Sequence, residues 1–259
     1  MCYDVKTSLE AQLKRAKHYN DEKAIKEINE KLVPLTDLPI HHRQGHSHPK
    51  MLIYTNESPE YPVVSQWGLI PFWSKSLTDA KKFWNNTLNA RGETIFEKSS
   101  FRESAKYKRC LIYLDGFYEH HHYKGKTYPF FIFRRDYEPM IMAGLWSEYT
   151  DKETGEILNT FSIVTTSGNE LLSKIHNNPK LKEPRMPVII PDELALDWLI
   201  SYNEELDQKR IEELIQPYPV DKLEAYTVDR LRGKDYIGNH EEISKEVDYK
   251  ELIFDEFFK

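Results

Sequence analysis

The stretch of chain between residues 109 and 166 leaves the fewest choices of fold. Four apolar runs rich in β-branched and aromatic residues, at 110–118, 128–134, 139–146 and 160–166, follow one another closely. Runs of this composition and length read as strands. Lys124-Gly125-Lys126 separates the first two, and Asp151-Lys-Glu-Thr-Gly155 the last two. Both connections are too short for a crossover helix, so these neighbours should pair antiparallel. Earlier in the chain, 51–54 reads as a strand, and 63–73 starts as a strand that Gly68 and Pro71 turn into a loop. Helical spacing appears at 8–32 (Leu9, Leu13, Ala16, then Ala24, Ile25, Ile28, Leu32), with Tyr19-Asn20-Asp21 as a point of division. It returns at 170–175, at 193–201 behind Asp192 as cap, and at 204–215. The expectation is an α+β protein whose core is a largely antiparallel sheet with peripheral helices. No repeat or low-complexity linker divides the 259 residues, so one domain over 1–259 is expected, with 220–259 as a C-terminal extension. That extension is polar and charged from Asp229 and ends in an aromatic patch at 253–258.

Hydrophobic residues at 39% and charged residues at 30% fit a soluble globular protein. No apolar run approaches the roughly 20 residues that span a bilayer. The start is polar at once (Asp4, Lys6), so an intracellular protein is expected. Cys2 and Cys110 make no disulfide framework, and Cys110, inside an apolar run, reads as a buried strand thiol. The net charge of −6 excludes a wholesale basic coat but leaves room for one local basic groove.

The residue with most chemistry is Cys2, directly behind Met1. Removal of Met1 would leave one residue carrying both a free α-amine and a thiol. An α-amine has a pKa near 8 against about 10.4 for lysine, so roughly 300-fold more of it is neutral at pH 7. Such an aminothiol can attack an acyl carbon, or condense with an aldehyde and close a thiazolidine; the position alone is also compatible with no role. His41, His42, His46 and His48 suggest zinc, but no cysteine or carboxylate pair stands at ligand spacing, and a polar loop is expected there. Trp67 and Trp73 near Lys75, Lys81 and Lys82 suit either stacking of unpaired bases beside phosphates or core packing. Asn89, Arg91 and Glu93 form a polar network or a helix-capping turn. Glu119 ends an aromatic strand, where desolvation would raise its pKa and suit it to acid–base work, unless the strand is an edge facing water. His120 and His122 share a face without a third ligand, and His176 ends a helix.

In order along the chain, Met1-Cys2, Trp67-Gly-Leu-Ile-Pro-Phe-Trp73, Asn89-Ala-Arg-Gly-Glu-Thr94, Arg109-Cys-Leu-Ile112 and Gly116-Phe-Tyr-Glu119 resemble the SOS-response-associated peptidase (SRAP) family. Ala143-Gly-Leu-Trp146, Thr165-Thr166, Ile175-His176 and Arg185-Met-Pro-Val-Ile189 continue the resemblance, which covers residues 2 to about 200. It implies a barrel-like sheet and a sensor of abasic sites in single-stranded DNA, with a possible preference for single/double-strand junctions. Cys2 would form a thiazolidine crosslink with the abasic sugar, with Asn89, Glu119 and His176 as its catalytic partners and with AP-lyase and crosslink-reversal activity. Arg91 and Arg185 would bind phosphate, Thr165 would contact the lesion, and Pro49 and Trp67 would pack against displaced bases. No cofactor or metal is implied, a monomer is expected, and the compartment would be the bacterial cytoplasm near the nucleoid, or the nucleus.

Three features depart from the family pattern. Tyr3 and Asp4 replace Gly-Arg, so a DNA-contacting arginine is absent and Asp4 is expected to repel phosphate; His120 replaces tryptophan; a longer loop, 177–184, precedes Arg185. The competing readings are an N-terminal-nucleophile amidohydrolase or peptidase, in which the Cys2 amine is the base, and a non-catalytic single-strand-binding module.

Overall fold

The computed structural model describes residues 2–19 and 22–252. Met1 and its processing, Asn20-Asp21 and the aromatic patch at 253–258 lie outside the described residues. The strands are β1 (Asp4–Thr7), β2 (Ile40–Gln44), β3 (Lys50–Thr55), β4 (Val63–Trp67), β5 (Asn89–Arg91), β6 (Arg109–Leu114) and β7 (Gly116–Tyr123). They continue as β8 (Lys126–Arg134), β9 (Met140–Thr150), β10 (Ile157–Ser167), β11 (Arg185–Pro187), β12 (Ile189–Ile190) and β13 (Leu223–Thr227).

The strands β10, β4, β3, β6 and β9 pair in a closed ring, all antiparallel except β4 with β10, which makes a five-stranded barrel. Strands β5 and β11 extend from β10, and β12 from β9. A second sheet, antiparallel throughout, runs β13-β8-β7-β1-β2. The fold is therefore α+β with a largely antiparallel, barrel-like core, as expected. Both anticipated hairpins form: β7–β8 turns at Lys124 and Gly125, both at positive φ, and β9–β10 turns at Gly155, φ 73°.

Strands β6 and β9 are apolar on both faces because both are covered. Cys110, Ile112, Leu114, Met140 and Met142 join the core that also holds Cys2, Val5 and Phe117. The alternate residues Leu111, Tyr113, Ile141, Ala143 and Leu145 pack outward against Trp198 and Leu199. Among the described residues no helix is long and apolar enough to cross a membrane.

Three local expectations need correction. The run 110–118 is two strands in two sheets. It breaks at Asp115, whose carboxylate accepts from the Ser8 N–H and, at 3.1 Å, from the Ser8 hydroxyl. The stretch 41–48 begins as β2 rather than a loop, because His42 is buried between Asp4 and Tyr236. Asp192 does not cap a helix through its side chain; it accepts from Lys14 at 2.8 Å and from Arg134, and the regular helix there is only Ala195–Trp198.

The entry to β7 also makes a stability prediction. A Cβ on Gly116 would overlap the Ile132 carbonyl oxygen and the Phe131 ring. Because one of those atoms is backbone, Gly116→Ala should destabilise the protein by about 2–3 kcal/mol, the upper range for overpacking. An unchanged urea midpoint would show that β7 relaxes freely there.

Candidate active site

Cys2 sits just ahead of β1, which runs between β2 and β7. The β1–β7 register pairs Asp4 with Tyr118 and Val5 with Phe117, so its continuation carries residues 2 and 3 alongside Glu119 and His120. The Tyr3 carbonyl accepts from the Gly45 N–H at 2.7 Å on the other side. The Cys2 carbonyl accepts from Asn89 Nδ2 at 2.8 Å, and β10 in turn holds Asn89 through the Ile163–Asn89 pairing. The Asn89 Oδ1 is buried with no hydrogen-bond partner among the described residues.

Glu119 is central in β7, opposite Phe130 of β8, and nearly buried. His176 follows the helix Glu170–Ile175, whose N-cap Asn169 accepts from the Leu172 N–H. The His176 Nδ1 lies 3.1 Å from the Arg185 carbonyl and 3.3 Å from the Arg185 N–H, which fixes the ring. Its Nε2 then faces Glu119 Oε2 at 3.7 Å. Burial pushes the Glu119 carboxyl up to about 7 and the His176 imidazole down to about 4. At neutral pH the pair is thus a carboxyl near its midpoint beside an uncharged imidazole, an arrangement suited to moving protons. The Cys2 thiol is fully buried; burial first, and the Glu119 charge second, push it well above its usual value.

A cleft of about 330 Å³ opens beside this pair. Tyr3, Asp4, Glu119, His120 and His176 line it, together with Asn178 and Leu181 of the long loop and Arg230 to Arg232 from beyond β13. The Asn177 side chain staples that loop to β7, accepting from the His122 N–H at 2.7 Å and donating to its carbonyl at 3.0 Å. Among the described residues no three His, Cys, Asp or Glu side chains gather as a metal site.

Cys2, Asn89, Glu119 and His176 therefore converge, and the other expected site residues divide. Arg91 is exposed, with Glu183 at 3.8 Å. Arg185 is turned inward: its guanidinium grips Glu93 at 2.7 and 2.8 Å and donates to the Thr165 carbonyl at 2.9 Å. Thr165, completely buried, lies against the same guanidinium. Both residues are buried, with the Arg185 Nη1 and Nη2 on Glu93 and Thr165 and its Nε without a hydrogen-bond partner among the described residues. Trp67 and Pro49 are also interior. The Trp67 indole N–H donates to the Leu88 carbonyl at 2.8 Å, and its ring stacks on Phe161. The exposed aromatics of that region are Phe72 and Trp73.

Asp4 is corrected as well. It is buried, with His42 Nε2 at 2.9 Å on one oxygen and Arg232 Nη2 at 2.9 Å on the other. These partners hold its carboxyl below the usual range despite burial. Asp4 is thus a neutralised anchor rather than a repelling charge. Partners 38 and 228 residues away left no local signal of this.

A closed five-stranded barrel flanked by an antiparallel sheet, with Cys2, Glu119 and His176 gathered where they meet, defines the class. The chain belongs to the SRAP (SOS response associated peptidase) family, whose sequence profile matches residues 1–234. It is 40% identical over 167 residues to the abasic site processing protein YoqW of Bacillus subtilis, covering 64% of this chain and 68% of that one. It is 30% identical over 171 residues to the chicken abasic site processing protein HMCES, covering 59% and 48% of the two chains. A crystal structure of a Bacteroides thetaiotaomicron protein, 32% identical, superposes with a TM-score of 0.80 over 95% of this chain and 100% of the other.

Proposed function

We propose that this protein captures abasic sites in single-stranded DNA by covalent attachment through Cys2, acting as a monomer. An abasic deoxyribose is a masked aldehyde. With Met1 removed, the Cys2 amine adds to C1′, and loss of water gives a Schiff base. The thiol then adds across the C=N bond, sulfur to carbon and proton to nitrogen, and closes a five-membered thiazolidine. This closure is intramolecular and gains the effective concentration of a held geometry. Glu119, with its carboxyl near 7, protonates the ring oxygen as the sugar opens and regains a proton from the C1′ hydroxyl. It gives that proton to the hydroxyl that leaves as water, and as carboxylate takes up the thiol proton as sulfur adds to the protonated imine. The uncharged His176 accepts protons in the imine steps, which include strand-cleaving β-elimination and reversal of the crosslink. Asn89 holds the Cys2 carbonyl so that amine and thiol stay beside both groups, and exposed Arg91 meets phosphate.

The observation that carries this reading is the seating of Cys2 on Asn89, 2.8 Å away, next to a Glu119–His176 pair separated by 3.7 Å. The names of the curated relatives, abasic site processing proteins, support it. An amidohydrolase that uses the Cys2 amine as its base has no need of that pair. Purified protein mixed with a single-stranded oligonucleotide bearing one abasic site should give a denaturant-resistant adduct. Its mass should equal the Met1-lacking protein plus DNA minus one water, with the link at Cys2. Protein with Met1 retained should form no adduct. Attachment at another residue, or no adduct from protein with a confirmed Cys2 terminus, would refute the reading.

A further inference from the structure

We infer that Arg230 and Arg232, delivered by the segment after β13, grip the phosphodiester backbone of single-stranded DNA at the mouth of the catalytic cleft, and that Asp4 is the positioning residue for Arg232. The inference rests on the proposed function and adds a substrate-holding element to it.

Both arginines line the same cleft as Glu119 and His176. They flank Leu231, which is buried with Tyr118, Phe131 and Ile243 and anchors the segment that carries them. Arg230 is half-buried and rigidly held. Its guanidinium lies 5.6 Å from the Tyr128 ring centre and 5.7 Å from that of Tyr249, and Nη1 donates to the Thr127 carbonyl. No carboxylate lies within ion-pair distance of its guanidinium among the described residues. Arg232 spends only Nη2 on Asp4, and its side chain is 57% exposed. The remaining N–H groups of both forks are suited to phosphate oxygens, which guanidinium groups bind bidentately.

The segment is fixed at both ends of this pair. The Val228 N–H donates to the Pro129 carbonyl at 3.0 Å, and the Val228 carbonyl accepts from Tyr249 Oη at 2.9 Å. Downstream, Tyr236 Oη meets His42 Nδ1 at 2.7 Å, and Asn239 Oδ1 accepts from the His41 N–H at 2.7 Å. The Asp4–His42–Tyr236 chain therefore ties the strand that begins beside Cys2 to the element bearing the arginines. A cation tied to Asp4, two residues from Cys2, would hold the abasic sugar in register with the amine, at reduced entropic cost on binding.

The test compares the intact protein with Arg230→Gln/Arg232→Gln in crosslinking to a single-stranded abasic oligonucleotide. The double variant should need about tenfold more DNA for half-maximal rate while the rate at saturation changes little. Its plot of log affinity against log salt should be shallower by about 0.7 for each phosphate that the variant no longer neutralises. Reaction of Cys2 with free 2-deoxyribose, an aldehyde sugar with no phosphate, should be equally fast in both proteins. Arg230→Lys should recover part of the affinity by keeping the charge without the fork. Asp4→Asn, which keeps both arginines but loosens Arg232, should raise the half-saturating concentration by a smaller factor. If intact protein and double variant crosslink with the same half-saturation and salt slope, the inference is wrong although the function stands. If neither reacts with DNA or deoxyribose, the proposed function itself fails. Equal loss of deoxyribose reactivity in the double variant would also overturn the inference, because the arginines would then be shaping the site rather than holding backbone.

Discussion

Glu119→Gln protein will form the abasic-site adduct about 10²–10⁴ times more slowly than the unaltered protein, the usual range for losing a positioned acid–base group. It will also be harder to unfold at pH 8. Both effects have one cause, a carboxyl taken out of water and set near neutrality. In the folded protein it titrates at about 7, against an ordinary 4.5. Below pH 4.5 the carboxyl is protonated in both states and contributes no difference. As pH rises through 4.5 the unfolded chain ionises while the folded one does not, so stability is lost progressively until pH 7, above which the loss is constant. The size is about 3 kcal/mol, because every pH unit that separates the folded and unfolded titrations is worth about 1.4 kcal/mol. Glutamine cannot ionise and escapes that loss. His176, held down at about 4, works in the opposite sense, contributing stability above its ordinary 6.5 that disappears as pH falls toward 4. It is present in both proteins and drops out of their difference. Urea titrations from pH 4 to 8 should show the two stabilities coinciding at the acid end and diverging up to pH 7. Equal crosslinking rates would remove Glu119 from the chemistry, and equal stabilities at pH 8 would show that its carboxyl is hydrated.

What could be read from the sequence was what neighbouring residues decide. The turns at Lys124-Gly125 and Gly155 fix their hairpins through local backbone geometry, and the apolar surroundings of Cys110 foretold its burial. Cys2, Glu119 and His176 were picked out singly by their chemistry, and only the ordered motif blocks joined them. The structure adds the reason they meet: β1 is inserted between β2 and β7, and its pairing with β7 joins segments more than a hundred residues apart. The environments that the sequence did not reveal share that cause. Trp67 sits in a run that reads equally well as an exposed platform, and its burial is decided by Phe161 and the Leu88 carbonyl. Arg185 looks like a free cation until Glu93 closes on it from 92 residues away. Asp4 looks like a misplaced charge until Arg232 and His42 reach it.

Cys2→Ser protein will lose the denaturant-resistant adduct yet still yield a product that borohydride traps. The amine survives the substitution and still forms an imine, which water reverses as soon as the protein unfolds. The hydroxyl is a poorer nucleophile than sulfur, so the ring that locks the product does not persist. The thiol's own environment sharpens this expectation. Burial and the neighbouring Glu119 charge push it well above its usual value, so it is a protonated thiol throughout the neutral range. Its addition to the imine therefore depends on a base that is available at neutral pH, and the Glu119 carboxylate is that base. The ratio of stable adduct to borohydride-trapped imine in the unaltered protein, which isolates ring closure from the amine's own titration, should accordingly rise with pH around 7 and show no further rise near the ordinary thiol value of about 8.5. A profile that tracks the thiol instead would mean that Cys2 ionises unaided. A Cys2→Ser adduct that survives denaturant without borohydride would mean that sulfur is not what makes the attachment last.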